Sequence, residues 1–239
     1  TNSIGFSLSS DRVSVIILLI PALIFCTIFI FIPAFWAIVG SFYSYGMTSL
    51  NDWKWVGFDN YIKASQDEFF WIALKNNFIF VFASIVLQVG VGTILAAILD
   101  RGIKYGKVIF RTIIFTPMVI SSVAVSIIWL IIYDPNVGIL NSILKAIGLP
   151  TPSMGWLGDP DISIWMIMIV AGWQNTGFMM VLILAGLQGV SKEVYDAAEI
   201  DGATGVKAFW YITLPMIRNI LIVAILITTI GAFKVFEFV

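Results

Sequence analysis

The sequence contains no histidine and a single cysteine, and among its 239 residues only thirteen are basic and fourteen acidic. Without histidine there is no imidazole general base, and the commonest metal ligand is missing. Cys26 stands alone inside an apolar run, which excludes an intrachain disulfide, a cysteine metal cluster and a redox pair. The two charge signs nearly cancel, so no basic surface argues for nucleic acid. Charged residues make up 11% and hydrophobic residues 60%, against roughly 25% and 45–50% in soluble domains. That balance excludes a water-soluble globular protein and leaves an all-α integral membrane protein, read as one domain over residues 1–239.

A membrane-crossing helix needs about 20 mostly apolar residues, since each adds about 1.5 Å toward a hydrocarbon slab about 30 Å thick. Uncharged or nearly uncharged runs cover residues 13–39, 76–99, 112–133, 162–190 and 219–239, predicting five spans. The first is too long for a signal-peptide core of about 7–15 residues, and no small-residue cleavage site follows it. It reads as a retained span kinked at Pro21 and Pro33. With a cytoplasmic N-terminus, the inside would carry Arg12, Arg101, Lys104, Lys107, Arg111, Lys192, Lys207 and Arg218, and the outside only Lys54, Lys63, Lys75 and Lys145. The excess of inner bases favours that orientation.

The two outer segments read as stable lids rather than linkers. Residues 51–75 carry Trp53, Trp55, Phe58, Tyr61, Phe69, Phe70 and Trp71, residues suited to an aromatic belt at the headgroup level. Residues 134–161 are punctuated by Pro135, Gly138, Pro150, Pro152, Gly155 and Pro160. There is no clear internal repeat. The chain stops inside a hydrophobic run, so a truncated C-terminus and a sixth span in the full chain are expected.

Between the fourth and fifth runs, residues 191–215 predict a short surface helix. Ser191 is placed to cap it, and Glu193 falls in the first turn, where the helix dipole favours negative charge. Gly202 is a natural stop, because glycine readily takes the left-handed conformation that ends a helix. Val194, Ala197, Ala198 and Asp201 share one face by i, i+3, i+4, i+7 spacing, and the adjacent alanines would let another surface approach closely. Phe209, Trp210 and Ile212 mark a second amphipathic stretch leading to Pro215.

The spacing of Asp196, Ala197, Ala198, Gly202, Ile212, Leu214 and Pro215 resembles the signature loop of membrane-spanning permease subunits in binding-protein-dependent ABC importers. Asp196 stands where that loop usually has Glu, one methylene shorter with the same charge. Residues 56–61 and 67–77 resemble the first external loop of sugar-type permeases. Residues 111–117, Ser121, Ser122, Trp129, Gly138, Asn141, residues 172–175, Leu187, Gln188 and residues 233–236 extend the likeness to the maltose and glycerol-phosphate type. The resemblance implies a second permease subunit, two ATPase subunits that use ATP and Mg, an extracytoplasmic solute-binding protein, and a multi-pass location in a prokaryotic inner membrane. It also implies that the loop helix sits in a cleft of the ATPase, with Lys192, Glu193, Asp196 and Asp201 at its rim. The chain itself has no Gly-rich phosphate loop ending in Gly-Lys-Ser/Thr, so no cofactor is expected on it and its energy must come from a partner.

A carbohydrate pathway needs hydrogen-bonding side chains and aromatic faces. The fourth run offers Trp173, Gln174, Asn175, Thr176 and Phe178, of which Gln174 and Phe178 can share a face at i, i+4. Asn77, Ser84 and Gln88 form a stripe on the second run. Interhelical hydrogen bonding accounts for these polar residues equally well. Lys234 and Glu237, three apart, can pair near the outer end of the fifth run. An ion-coupled secondary transporter would place carboxylates at mid-membrane, and the first four runs hold none. A membrane enzyme lacks any nucleophile–base or metal constellation here. An amino-acid or peptide ABC permease is the nearer alternative, disfavoured by the external-loop likeness.

Overall fold

The computed structural model describes residues 8–44, 53–103 and 105–234. Lys104, Glu237 and the last five positions of the fifth run lie outside the described residues. The chain divides into two compact units, residues 1–72 and 73–239.

In the first unit, α1 (Leu8–Cys26) continues through a π-helical turn at Thr27–Phe31 into α2 (Ile32–Gly40). Pro33 has no N–H to offer the carbonyl four residues back, and that carbonyl belongs to Phe29, inside the wider π turn. The most apolar window of this helix is entirely unburied, as expected of a span facing lipid. Two short strands depart from the all-α expectation. Strands β1 (Tyr43–Ser44) and β2 (Lys54–Trp55) pair antiparallel, with Tyr43 opposite Trp55. Helix α3 (Asp59–Gln66) comes next. Phe42, which no sequence pattern singled out, is the hub. Its ring stacks on Trp55 at 5.7 Å and meets Phe58 edge-on at 5.4 Å. Asn60 donates to the carbonyls of Ser41 and Tyr43, and the Ser41 and Tyr61 hydroxyls lie 2.6 Å apart.

Asp67 accepts from the Phe69 N–H at 2.9 Å and so caps α4 (Glu68–Ser84). Helix α4 straddles the boundary between the units. It runs on through a π turn at Ile85–Gly90, α5 (Val91–Ala97) and a second π turn at Ile98–Gly102. The result is a single 35-residue apolar helix, Glu68–Gly102, longer at its outer end than the run of residues 76–99.

The third run does not form one straight span. It becomes α6 (Lys107–Val119) and α7 (Ser122–Ile132), bent by 96° at their junction. Pro117 weakens the last turn of α6, Ile120 turns extended, and the Ser121 hydroxyl accepts from the Ala124 N–H to start the new helix. A surface helix, α8 (Ile139–Ala146), lies beyond it.

Helix α9 (Pro160–Leu187) starts with Asp159 accepting from the Asp161 N–H and Pro160 in the first turn, a start suited to both residues. After it come α10 (Lys192–Ile200), α11 (Gly205–Ala208), a π turn at Phe209–Thr213, α12 (Leu214–Met216) and α13 (Arg218–Phe233). The stretches Gly205–Met216 and Arg218–Phe233 are bent by 75° at Ile217. Among the described residues, three helices are therefore long and apolar enough to cross a membrane, or up to five if each bent pair is one span.

Helix α9 is the centre of the second unit. It is apolar on every side, the pattern of a helix surrounded by others, and 61% of its apolar window is buried against 33% for Glu68–Gly102. Small residues let its neighbours come close, as in membrane bundles generally. A methyl on Gly177 would collide with the Ile114 carbonyl of α6, and one on Gly172 would press on Leu87. Met179, Met180, Ile183 and Leu184 pack with Val89, Ala96, Leu99 and Ala224 in the largest cluster.

The segment after α7 is held by Asp134, whose carboxylate accepts from the N–H groups of Asn136 and Val137 at 2.8 and 2.9 Å. Buried Asn141 then donates to the Pro135 carbonyl and accepts from the Trp156 indole at 2.7 Å. The Val137 and Asn136 N–H groups hold the Asp134 carboxyl below its ordinary range. Its stabilising contribution is therefore full above the ordinary carboxylate range and is lost as pH falls through the depressed value.

Two outcomes are expected from this packing. Gly177→Ala should lower the stability of the detergent-solubilised chain by about 1–3 kcal/mol, the usual cost of overpacking, read as a fall in thermal midpoint. On acidification below about pH 4, the fluorine resonance of labelled Trp156 should shift as the 134–161 segment loosens, and Asp134→Ala should abolish that transition.

Candidate functional site

The segment of residues 191–215 forms the short helix that the sequence implies, followed by a second helical stretch. Helix α10 ends in a Schellman arrangement. Gly202 adopts φ +76°, its N–H bonds to the Glu199 carbonyl, and the Ala203 N–H bonds back to the Ala198 carbonyl at 2.8 Å. Ser191 occupies the capping position, but its side chain accepts nothing from the helix. The Glu193 backbone N–H and the Ser191 hydroxyl instead hold the Glu193 carboxyl below its ordinary range. Glu193 is thus an anion in the first helical turn, where the dipole stabilises it.

The face of Val194, Ala197, Ala198 and Asp201, which the adjacent alanines would open to another surface, is divided between the interior and the exterior. Tyr195 and Ala198 are buried, Val194 is half-buried, and Ala197 and Asp201 are exposed. Tyr195 faces inward because burying its ring removes far more apolar area from water than burying a second alanine would. Asp196, Ala197, Asp201 and Gly202 therefore share the outer surface with Glu193 and Ile200, and Ile200 is 88% exposed. Ile212 and Leu214 are half-buried and Pro215 is exposed. Sequence reasoning passed over Tyr195. The signal was available, since Tyr195 and Ala198 stand at i, i+3 with charged residues on either side.

The polar residues of the fourth run are divided between two roles. Gln174 is buried and donates to the Ile120 carbonyl at 2.9 Å. That carbonyl is the acceptor set free where α6 breaks from α7. Non-helical backbone at membrane depth persists only where protein groups or water satisfy it, so Gln174 belongs to the bend. Trp173 points elsewhere, edge-on to Trp129 with centroids 5.7 Å apart. Of Gln174 and Phe178, which can share a face at i, i+4, only Phe178 lines the cavity described next.

Asn175 and Phe178 instead line a cavity of about 290 Å³ together with Gln88. Its wall is completed by Phe80, Met118, Ser122, Thr228 and Lys234, among others. The Asn175 amide nitrogen bonds back to the Ala171 carbonyl, while the buried Thr228 hydroxyl has no partner. Lys234 is the only charged residue on this wall among the described residues. The partner expected for it, Glu237, lies outside the described residues. Asn77, half-buried, bonds back to the Ala73 carbonyl, and buried Ser84 is not on the cavity wall.

The division between Gln174 and Asn175 has a direct consequence. Gln174→Leu should destabilise the solubilised chain by about 1–2 kcal/mol, because it takes the partner from the half-buried Ile120 carbonyl, a loss partly offset by removing the buried, unpaired Gln174 Oε1. Asn175→Leu should cost less than about 1 kcal/mol, as its amide serves only its own helix. Paired thermal melts check both.

The family of binding-protein-dependent transport system inner membrane components matches residues 88–238. The chain is 35% identical over 230 residues to the probable ABC transporter permease protein YurN of Bacillus subtilis, covering 96% of this chain and 78% of that one. It is 33% identical over 217 residues to the lactose transport system permease protein LacF of Rhizobium radiobacter, covering 91% and 72%. A chain in the crystal structure of a bacterial ABC transporter involved in the import of the acidic polysaccharide alginate superposes with a TM-score of 0.78. That chain is 25% identical, and the match covers 95% of this chain and 76% of it. The chain belongs to the binding-protein-dependent family of inner membrane transport components, the permeases of ABC transporters, and not to a family of enzymes.

Proposed function

We propose that this chain is a permease subunit of an ATP-driven importer that carries a carbohydrate delivered by an extracytoplasmic solute-binding protein. In this reading it pairs with a second permease and sits on two ATPase subunits that bind ATP and Mg and hydrolyse the nucleotide. The single domain spans a prokaryotic inner membrane with its N-terminus in the cytoplasm. The observation that carries the reading is α10, ended at left-handed Gly202 and presenting Glu193, Asp196, Ala197, Ile200 and Asp201 outward. An apolar side chain as exposed as Ile200, rimmed by carboxylates, fits a surface that a partner covers.

The substrate class is supported by the cavity and by the relatives. Gln88, Asn175, Ser122 and Thr228 bring carboxamides and hydroxyls, and Phe178 and Phe80 bring aromatic faces. That is what a polyhydroxylated ring with apolar C–H faces requires. The lactose and alginate transporters named above both handle carbohydrates.

The test is to purify the full-length protein in mild detergent with the products of its own operon, then reconstitute it. ATPase subunits and a second permease should co-purify, and sugar uptake should need ATP. Gly202→Asp should leave the complex assembled but lower uptake about tenfold, because a β-carbon is strained at positive φ and shifts the helix end. Asn175→Leu should raise KM for the sugar at normal assembly. A chain that purifies alone and transports under an ion gradient would refute the proposal in favour of a secondary transporter, and competition by amino acids rather than sugars would reassign the substrate.

A further inference from the structure

Helix α10 touches the rest of its unit through very little, since only Tyr195 and Ala198 on it are buried. The Tyr195 ring is held from two sides. The Arg101 guanidinium carbon stands 3.0 Å from its centroid, and its phenol oxygen lies 3.3 Å from the Thr213 hydroxyl. Arg101 belongs to the π turn Ile98–Gly102, which closes the helix begun at Glu68, and Thr213 closes the π turn Phe209–Thr213, which leads into α12 and α13. One ring therefore bridges α10 to the end of the helix Glu68–Gly102 and to the bent stretch Gly205–Met216 that leads into α13, at a π turn in each. Such turns are rare and concentrate where function needs a local departure from the α-helix.

We propose that Tyr195 is the positioning residue through which displacement of α10 reaches the membrane helices: through Arg101 to the second, and through Thr213 to the fifth. The inference rests on the importer reading above. The link from α10 to α11 runs through Gly202 and Gly205, both at positive φ. A connection of that kind transmits pull poorly, so a push on α10 must travel through packed side chains. A guanidinium over an aromatic face is suited to this, because the attraction holds only while the cation stays above the ring. The Asp100 carboxylate, 3.5 Å from Arg101 Nε, helps to orient the guanidinium. Lysine would not replace it, since a compact ammonium cannot lie flat on the ring.

The test compares uptake with ATP hydrolysis in the complete transporter, reconstituted with its binding protein. In Arg101→Gln and Tyr195→Leu, ATP hydrolysis should stay within about twofold of wild type, while sugar taken up per ATP falls about fivefold, the upper end of what a contact with an exposed cation supplies. Tyr195→Phe keeps the ring and loses only the Thr213 partner, so it should stay within about threefold. The double variant Arg101→Gln/Tyr195→Leu should be no worse than either single change, the signature of one shared interaction. Arg101 is exposed, so Arg101→Gln carries the test even where Tyr195→Leu fails to assemble. An unchanged uptake-to-ATP ratio in Arg101→Gln, or losses that multiply in the double variant, overturns the role of Tyr195 and leaves the importer reading intact. A wild-type complex with no ATP-driven uptake overturns the importer reading itself.

Discussion

The hydrogen bond from Gln174 to the Ile120 carbonyl meets the constraint on which the membrane unit depends: backbone polar groups at membrane depth must find partners inside the protein. Breaking a helix there releases carbonyls and N–H groups that lipid cannot satisfy. The chain breaks its third run and answers with two local devices. Ser121 supplies an acceptor for the new helix start, and α9 sends a carboxamide across to the freed carbonyl. With that bond in place, the 96° bend becomes a stable feature, and Met118 and Ser122 on its two sides come to line a cavity. The polar residue that looks most like a substrate ligand is thereby occupied in holding the wall.

Helix α9 makes this possible by serving as the common partner of the other helices. Its buried positions run nearly the whole way round, and Gly172 and Gly177 let Leu87 and the backbone of α6 approach where any β-carbon would intervene. Close backbone approach matters in a bilayer, where burying an apolar side chain gains little over leaving it in lipid and van der Waals packing has to carry association. The same closeness orients Asn175 and Phe178 toward Gln88 and Thr228, giving a wall of carboxamide, hydroxyl and aromatic groups in an otherwise apolar bundle.

At the other functional region the controlling quantity is rotation about a helix axis. Helix α10 buries Tyr195 and Ala198 and leaves Asp196, Ala197 and Ile200 outward. One orientation gives both a surface for a partner and a ring set against Arg101 and Thr213. The two faces of this nine-residue helix thus differ in character, one exposed and acidic, the other closed over an aromatic ring.

The sequence by itself determined the membrane class, the apolar runs and the loop by which the chain resembles its family. Each depends on local quantities: hydropathy over about 20 residues, and a fixed spacing of Asp196, Gly202, Leu214 and Pro215 that carries the family likeness. The Gly202 helix stop was also legible, because positive φ is a property of one residue and its immediate neighbours. Only the tertiary structure decided that the third run is two helices, that Gln174 serves the bend while Asn175 serves the cavity, and that Tyr195 and not Ala197 faces the body of the unit. Adjacent positions on a helix differ by about 100°, and composition does not fix the rotation of a helix that is apolar or mixed on all sides. That rotation is set by which neighbour needs a hydrogen bond or a large ring, and the neighbour lies 54 positions away for Gln174 and Ile120 and 18 for Tyr195 and Thr213.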